Sequence, residues 1–139
     1  MLKLKYKKVV IYYFSGTGNT KNTAFWIGNE ATRKGIDFEI ISIDLIDYQK
    51  LQKPAEYTLV GFCSPTHGFH FPEIMRKFIY NFPKVNNCDA FILNTRAGVR
   101  IYKLCLPGLS GILHYWSSVL LMMKGFTITG LFPVDLPSN

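Results

Sequence analysis

The chain alternates short apolar runs with longer stretches in which apolar residues recur every third or fourth position. Val9-Val10-Ile11-Tyr12-Tyr13-Phe14 is a continuous β-branched and aromatic run, the pattern of a strand covered on both faces. It ends in a Gly-rich turn, after which a helix is predicted from about Thr20 to Lys34. Ala24, Ile27 and Ala31 form its apolar stripe, and Gly35 stands where a helix of this length needs its C′ residue. Ile36-Asp37-Phe38-Glu39-Ile40 alternates apolar and polar, as an edge strand with one wet face does. Asp44 to Tyr57 is a polar connector with one helical turn near Tyr48 to Leu51, closed by Pro54.

The second half repeats the scheme. Thr58 to Cys63 is a third strand, and the stretch from Pro72 to Phe82 is a helix with proline at its start. Ile74, Phe78 and Phe82 recur four apart along it. Ala90 to Asn94 is a fourth strand, Leu109 to Lys124 a helix ended by Gly125, and Phe126 to Phe132 a fifth strand. Such repetition implies an α/β domain with a parallel sheet and right-handed crossovers. Neither a linker nor an internal repeat divides residues 1–139, so a single domain is expected.

A doubly wound five-stranded sheet needs helices on both faces, yet only residues 133–139 follow the fifth strand. By this pattern the C-terminal helix, which should pack beside the first one, is expected to be missing from residues 1–139. Its absence would leave apolar sheet surface wet, at about 25 cal/mol for each Å². The expectation is that the chain is the N-terminal part of a longer protein. The other solution is a second subunit, as in a homodimer, covering the open sheet face.

Composition narrows the picture. Hydrophobic residues make up 48% and charged ones 18%, which excludes a disordered chain. Lys3, Lys5, Lys7 and Lys8 precede an apolar run in the manner of a signal peptide, but the run is too short for an h-region. The stretch from Leu104 to Met122 is interrupted by Pro107, Gly108, Ser110, Gly111, His114, Ser117 and Ser118, so it reads as a buried helix and not a membrane span. A cytoplasmic location is expected. Cys63, Cys88 and Cys105 form no CxxC pair, which gives no zinc site, iron–sulfur site or disulfide framework; each reads as a small buried hydrophobe.

The net charge of +7 points to an anionic partner, against the plainer reading of a solvated lysine surface. With no nucleic-acid-binding motif in the chain, an acidic protein or a phosphate-bearing ligand fits the charge better.

Candidate chemistry sits in the turn after the first strand, Ser15-Gly16-Thr17-Gly18-Asn19-Thr20. A strand, a glycine-bearing turn and a helix start make an anion site without lysine, because free amide N–H groups and the helix dipole both attract a phosphate. Ser15, Thr17 and Thr20 add hydroxyls and Asn19 an amide, while Gly16 and Gly18 let the backbone approach closely. A P-loop would need a lysine before its hydroxyl residue, and none stands there. A dinucleotide fingerprint matches Gly16 and Gly18 but meets Lys21 at its third glycine, with Asp44 available as a ribose ligand. A plain turn without ligand is the remaining alternative.

Ser15, Thr17, Gly18 and Thr20 stand where the flavodoxin family has its S/T-x-T-G-x-T pattern, and the chain resembles that family over nearly its whole length. The resemblance implies a flavodoxin-like, doubly wound sheet of strand order 2-1-3-4-5 with FMN as cofactor. It also implies two further cofactor loops at the ends of strands three and four. One carries Pro65, Thr66, His67, Gly68 and Phe69, followed by His70 and Phe71; the other follows Asn94 with Thr95, Arg96, Ala97 and Gly98. Three such loops meet where ligands bind in sheets of this order. These loops look like the flavodoxin half of bacterial flavodoxin–ferredoxin fusion proteins, whose clustered cysteines do not occur here.

By that resemblance the first loop holds the phosphate, and His67, Phe69, His70, Phe71 and Tyr102 offer faces for the flavin ring. Gly68 would let a peptide reorient toward the ring's N5. Arg96 or Arg100 near its N1–O2 edge would favour the reduced form. Electron-carrying flavodoxins are usually acidic, so a basic chain implies a less strongly reducing flavin and a different partner. The expected role is electron transfer to a protein partner or an attached iron–sulfur segment. Two alternatives stay open: an NAD(P)H-dependent FMN or quinone reductase, and a binding module without cofactor.

Overall fold

The computed structural model describes residues 5–15, 18–65, 72–97 and 118–136. Its five strands are β1 (Lys8–Tyr13), β2 (Asp37–Ser42), β3 (Thr58–Pro65), β4 (Cys88–Ala97) and β5 (Phe126–Leu136). They form one sheet of order β2-β1-β3-β4-β5, and every neighbouring pair is parallel. This is the flavodoxin-like arrangement.

Helix α1 (Asn19–Arg33) follows β1, and α2 (Glu73–Asn81) follows β3. The end of α1 is a Schellman motif: the Ile36 N–H donates to the Ala31 carbonyl and the Gly35 N–H to that of Thr32. Pro72 lies one position ahead of its expected place, capping α2 instead of opening it. Residues 43–45 and 48–50 form short 3-10 turns, the second close to the turn expected at Tyr48. Residues 118–123 are helical, as the pattern required; the first part of that predicted helix, 109–117, lies outside the described residues.

Strand ends are the main correction to the sequence reading. β3 runs on to Pro65, and β4 starts at Cys88 and continues to Ala97, so Thr95, Arg96 and Ala97 are strand and not loop. β5 continues past Phe132 to Leu136 and pairs with β4 from Asn94↔Pro133 to Ala97↔Leu136, which keeps both chains extended. The pairing includes a bulge. Ala90 faces Ile128 and Phe91 faces Gly130, leaving Thr129 as an extra residue whose hydroxyl donates to the Ala90 carbonyl at 3.1 Å.

The sheet separates two cores. On one face Phe62, Phe78, Phe82, Met75, Ile79 and Leu121 are fully buried. Tyr12 packs its ring 5.0 Å from Phe78 and 5.5 Å from Phe82, and burial pushes its phenol up to about 12. On the other face α1 lays Ala24 and Ala31 against Val9, Ile11, Cys63, Phe91 and Leu93. On this face Cys63, Phe91 and Leu93 are all at most 5% exposed. α1 touches β1, β2, β3 and β4, and the Phe91 ring occupies the space a side chain at Gly61 would need. Cys88 departs from its expected burial: it is half-buried, donates to the Thr58 carbonyl at 3.5 Å, and has its thiol pushed up to about 11 by desolvation. Cys105 lies outside the described residues.

The N-terminal approach to β1 is tied to β4 by a charged cluster. Asp89 Oδ2 lies 2.6 Å from Lys5 Nζ and accepts from the Tyr6 hydroxyl at 2.7 Å. These bonds, Lys5 first, hold the Asp89 carboxyl below its ordinary value. A carboxylate depressed in the folded state stabilises the fold above its unfolded pKa, about 3.9, and that contribution is lost as pH falls through the folded value. Asp89→Asn is therefore expected to lower the melting temperature at pH 7 by a few degrees. As pH falls below about 4 the gap between the two proteins should narrow, and a gap that does not narrow at all on acidification in calorimetry would refute the ion-pair account.

Candidate functional site

The register brings three strand ends to one level. Tyr13 of β1 pairs with Cys63 of β3, and the Phe14 N–H donates to the Cys63 carbonyl at 3.0 Å. Pro65 of β3 pairs in turn with Thr95 of β4. Ser15, Pro65 and Thr95, which open the three sequence-derived loops, therefore share the carboxyl edge of the sheet beside the start of α1.

The first loop is built by its glycine. Gly18 is the N-cap of α1 with φ of +90°, a conformation that costs an L side chain energy. Its N–H turns back to the Ser15 hydroxyl at 2.9 Å, and its carbonyl accepts the first helical bond, from Asn22, at 3.0 Å. Because Ser15 Oγ accepts that bond, the hydroxyl hydrogen is left to donate outward. Among the described residues no side chain caps α1 and its first turn carries no acid, so there the amides of Asn19, Thr20 and Lys21 have neither an intrahelical acceptor nor a competing carboxylate. Lys21 adds a positive charge one turn in, its ammonium 6.0 Å from the Phe25 ring. This donor set suits a phosphate dianion.

Thr20 sits in the first turn of α1, against the end of β4. It is 2% exposed, and its Oγ1 lies 2.7 Å from Thr95 Oγ1, itself buried at the end of β4. Thr95, read as part of a ring-binding loop, thus faces α1 and meets the phosphate loop. The two residues are 75 apart in the chain, so only the parallel sheet unites them. Ser64, also fully buried, donates to the Pro65 carbonyl at 3.2 Å and stiffens the end of β3.

Of the sequence-derived site residues, Ser15, Gly18, Thr20, Pro65 and Thr95 are brought together. Gly16, Thr17, Thr66, His67, Gly68, Phe69 and Gly98, with His70, Phe71, Arg100 and Tyr102, lie outside the described residues. Asn19, Arg96 and Ala97 are placed by their backbones, in α1 and β4. Asp44, the ribose-ligand alternative, sits in a 3-10 turn beyond β2. Among the described residues no cluster of three or more side chains could hold a metal ion, and no helix is long and apolar enough to cross a membrane.

Comparison with known proteins agrees with this geometry. The sequence family described as flavodoxin matches residues 11–98, which run from the second half of β1 through β4 and include all three strand ends. No curated protein matches the sequence. Among solved structures, the two-electron reduced flavodoxin of Megasphaera elsdenii is 19% identical with a TM-score of 0.69, over 91% of this chain and 85% of that one. Rubredoxin oxygen:oxidoreductase of Desulfovibrio gigas is 16% identical at a TM-score of 0.69, with 94% of this chain covering 30% of the larger protein. An NADH:FMN oxidoreductase in its apo form is 13% identical at 0.66, over 92% and 75%. These likenesses share the fold, while the match over 11–98 carries the kinship: the chain belongs to the flavodoxin family, a family of FMN-binding redox proteins.

Proposed function

We propose that this chain binds FMN at the carboxyl edge of its sheet and passes electrons to a protein partner. The observation that carries the reading is the start of α1, whose uncapped amides, left-handed Gly18 and Ser15 hydroxyl converge beside the ends of β3 and β4. Ser15, Gly16, Thr17, Gly18, Asn19 and Thr20 hold the phosphate. The segment Pro65, Thr66, His67, Gly68 and Phe69 and the segment Arg96, Ala97 and Gly98 border the flat ring, with Thr95 leading into the second from the side of α1. Bound FMN supplies the electron transfer; the chain supplies position, electrostatics and exclusion of water.

Within this reading Arg96 donates to the N1–O2 edge of the ring and favours its reduced form. The basic surface attracts an acidic partner, either a separate protein or an iron–sulfur segment carried on the same polypeptide, as in flavodoxin–ferredoxin fusions. Turnover in the cytoplasm as a single flavodoxin-like domain completes the proposal. A second reading, an NAD(P)H-dependent FMN or quinone reductase, is favoured by the fold shared with an NADH:FMN oxidoreductase.

Titration of the purified protein with FMN tests the proposal. Stoichiometric quenching of flavin fluorescence and a shifted visible spectrum are expected, and free-flavin behaviour throughout the titration would refute it. Mixing the complex with NADH or NADPH separates the readings: slow bleaching fits an electron carrier, and rapid bleaching the reductase.

A further inference from the structure

The buried hydroxyl pair of Thr20 and Thr95 has a consequence for the phosphate end of the site. At 2.7 Å, one proton lies between the two oxygens. If Thr20 donates to Thr95, the Thr20 oxygen presents only lone pairs toward the start of α1, which repel an anion. If Thr95 donates, the hydrogen of Thr20 is free to point at a phosphate oxygen. We propose that Thr95 is the positioning residue of the phosphate site, fixing the Thr20 hydroxyl as a donor through the ordered chain Thr95 to Thr20 to phosphate. The inference rests on the FMN reading above and assigns this β4 residue to the cofactor's phosphate, not its ring.

Burial makes the arrangement consequential. Thr20 and Thr95 are 2% and 4% exposed, so each hydroxyl depends on a protein or ligand partner once a phosphate fills the open side. Without Thr95, the buried Thr20 hydroxyl loses the partner that feeds its lone pair and fixes its rotamer, so nothing holds its hydrogen toward a phosphate. Linked donors also polarise one another, so the bond from Thr20 to phosphate weakens when the bond behind it is removed. Neither effect touches a flavin that lacks the phosphate.

The experiment compares FMN with riboflavin, binding each to the unchanged chain, Thr95→Val and Thr95→Ser below their melting temperatures. Thr95→Val keeps the shape and removes the hydroxyl; Thr95→Ser keeps the hydroxyl. FMN affinity is expected to fall about tenfold, equivalent to about 1.4 kcal/mol, in Thr95→Val and to be restored in Thr95→Ser, with riboflavin affinity unchanged in both. Competition by inorganic phosphate should weaken in parallel with FMN. Equal losses for FMN and riboflavin would make Thr95 a structural residue and overturn the inference, as would undiminished FMN affinity in Thr95→Val. Failure of the unchanged chain to bind FMN would instead overturn the functional reading, and this inference with it.

Discussion

Replacing Gly125 with alanine is expected to lower the melting temperature by on the order of 10 °C. Two costs combine. Gly125 ends helical segment 118–123 with φ of +96°, where an L side chain is strained. A Cβ there would also overlap the Val85 carbonyl oxygen, and that oxygen cannot easily retreat. The Val85 N–H donates to the Lys124 carbonyl at 2.7 Å and the Asn87 N–H to that of Gly125 at 3.2 Å, clamping the chain before β4 against the turn. Backbone strain plus overpacking costs about 2–5 kcal/mol. Gly35 provides the control. Its φ is +79° but nothing lies within 4 Å of its missing side chain, so alanine there bears the strain alone. Thermal melts of the two variants should differ by several degrees; equal shifts would show that the Val85 contact yields freely.

The other large effect concerns the cofactor. Thr17→Ala with Thr20→Ala should weaken FMN by about a hundredfold, since each donor lost to a charged group is worth about 1–3 kcal/mol. Thr20→Ala also leaves the buried Thr95 hydroxyl without its partner across the site, so part of the penalty appears as lower stability. Affinity is therefore measured by fluorescence titration well below the melt, with riboflavin as reference. Wild-type FMN affinity in the double variant would remove residues 15–20 from phosphate binding.

How much was legible in the sequence follows from which physical signals are local. Continuous apolar runs marked β1 and β3, and the alternation around Phe38 marked β2 as an edge, because burial acts residue by residue. Gly35 and Gly125 were readable as helix ends, yet what makes the second severe is a carbonyl 40 residues earlier in the chain. The ends of β4 and β5 were missed for the same reason. Thr95, Arg96 and Ala97 look like a polar loop, and they stay extended because Val134, Asp135 and Leu136 pair alongside them.

The site divides in the same way. The phosphate loop was visible as a motif, since glycines, hydroxyls and a helix start lie within six residues. The opposed hydroxyls of Thr20 and Thr95 were not, since no spacing in a single sequence signals a contact that arises from strand order.

The two rims of the sheet bear on how such a protein meets others. β2 carries exposed Asp37 and Glu39 along one rim, with Glu39 held 3.0 Å from Lys8. β5 forms the opposite rim and contains Pro133, which has no N–H to offer an incoming strand. A foreign β-strand would find carboxylates at one border and a gap in the hydrogen-bonding ladder at the other. Both borders disfavour recognition by sheet extension and leave contact with other molecules to the loops and helices.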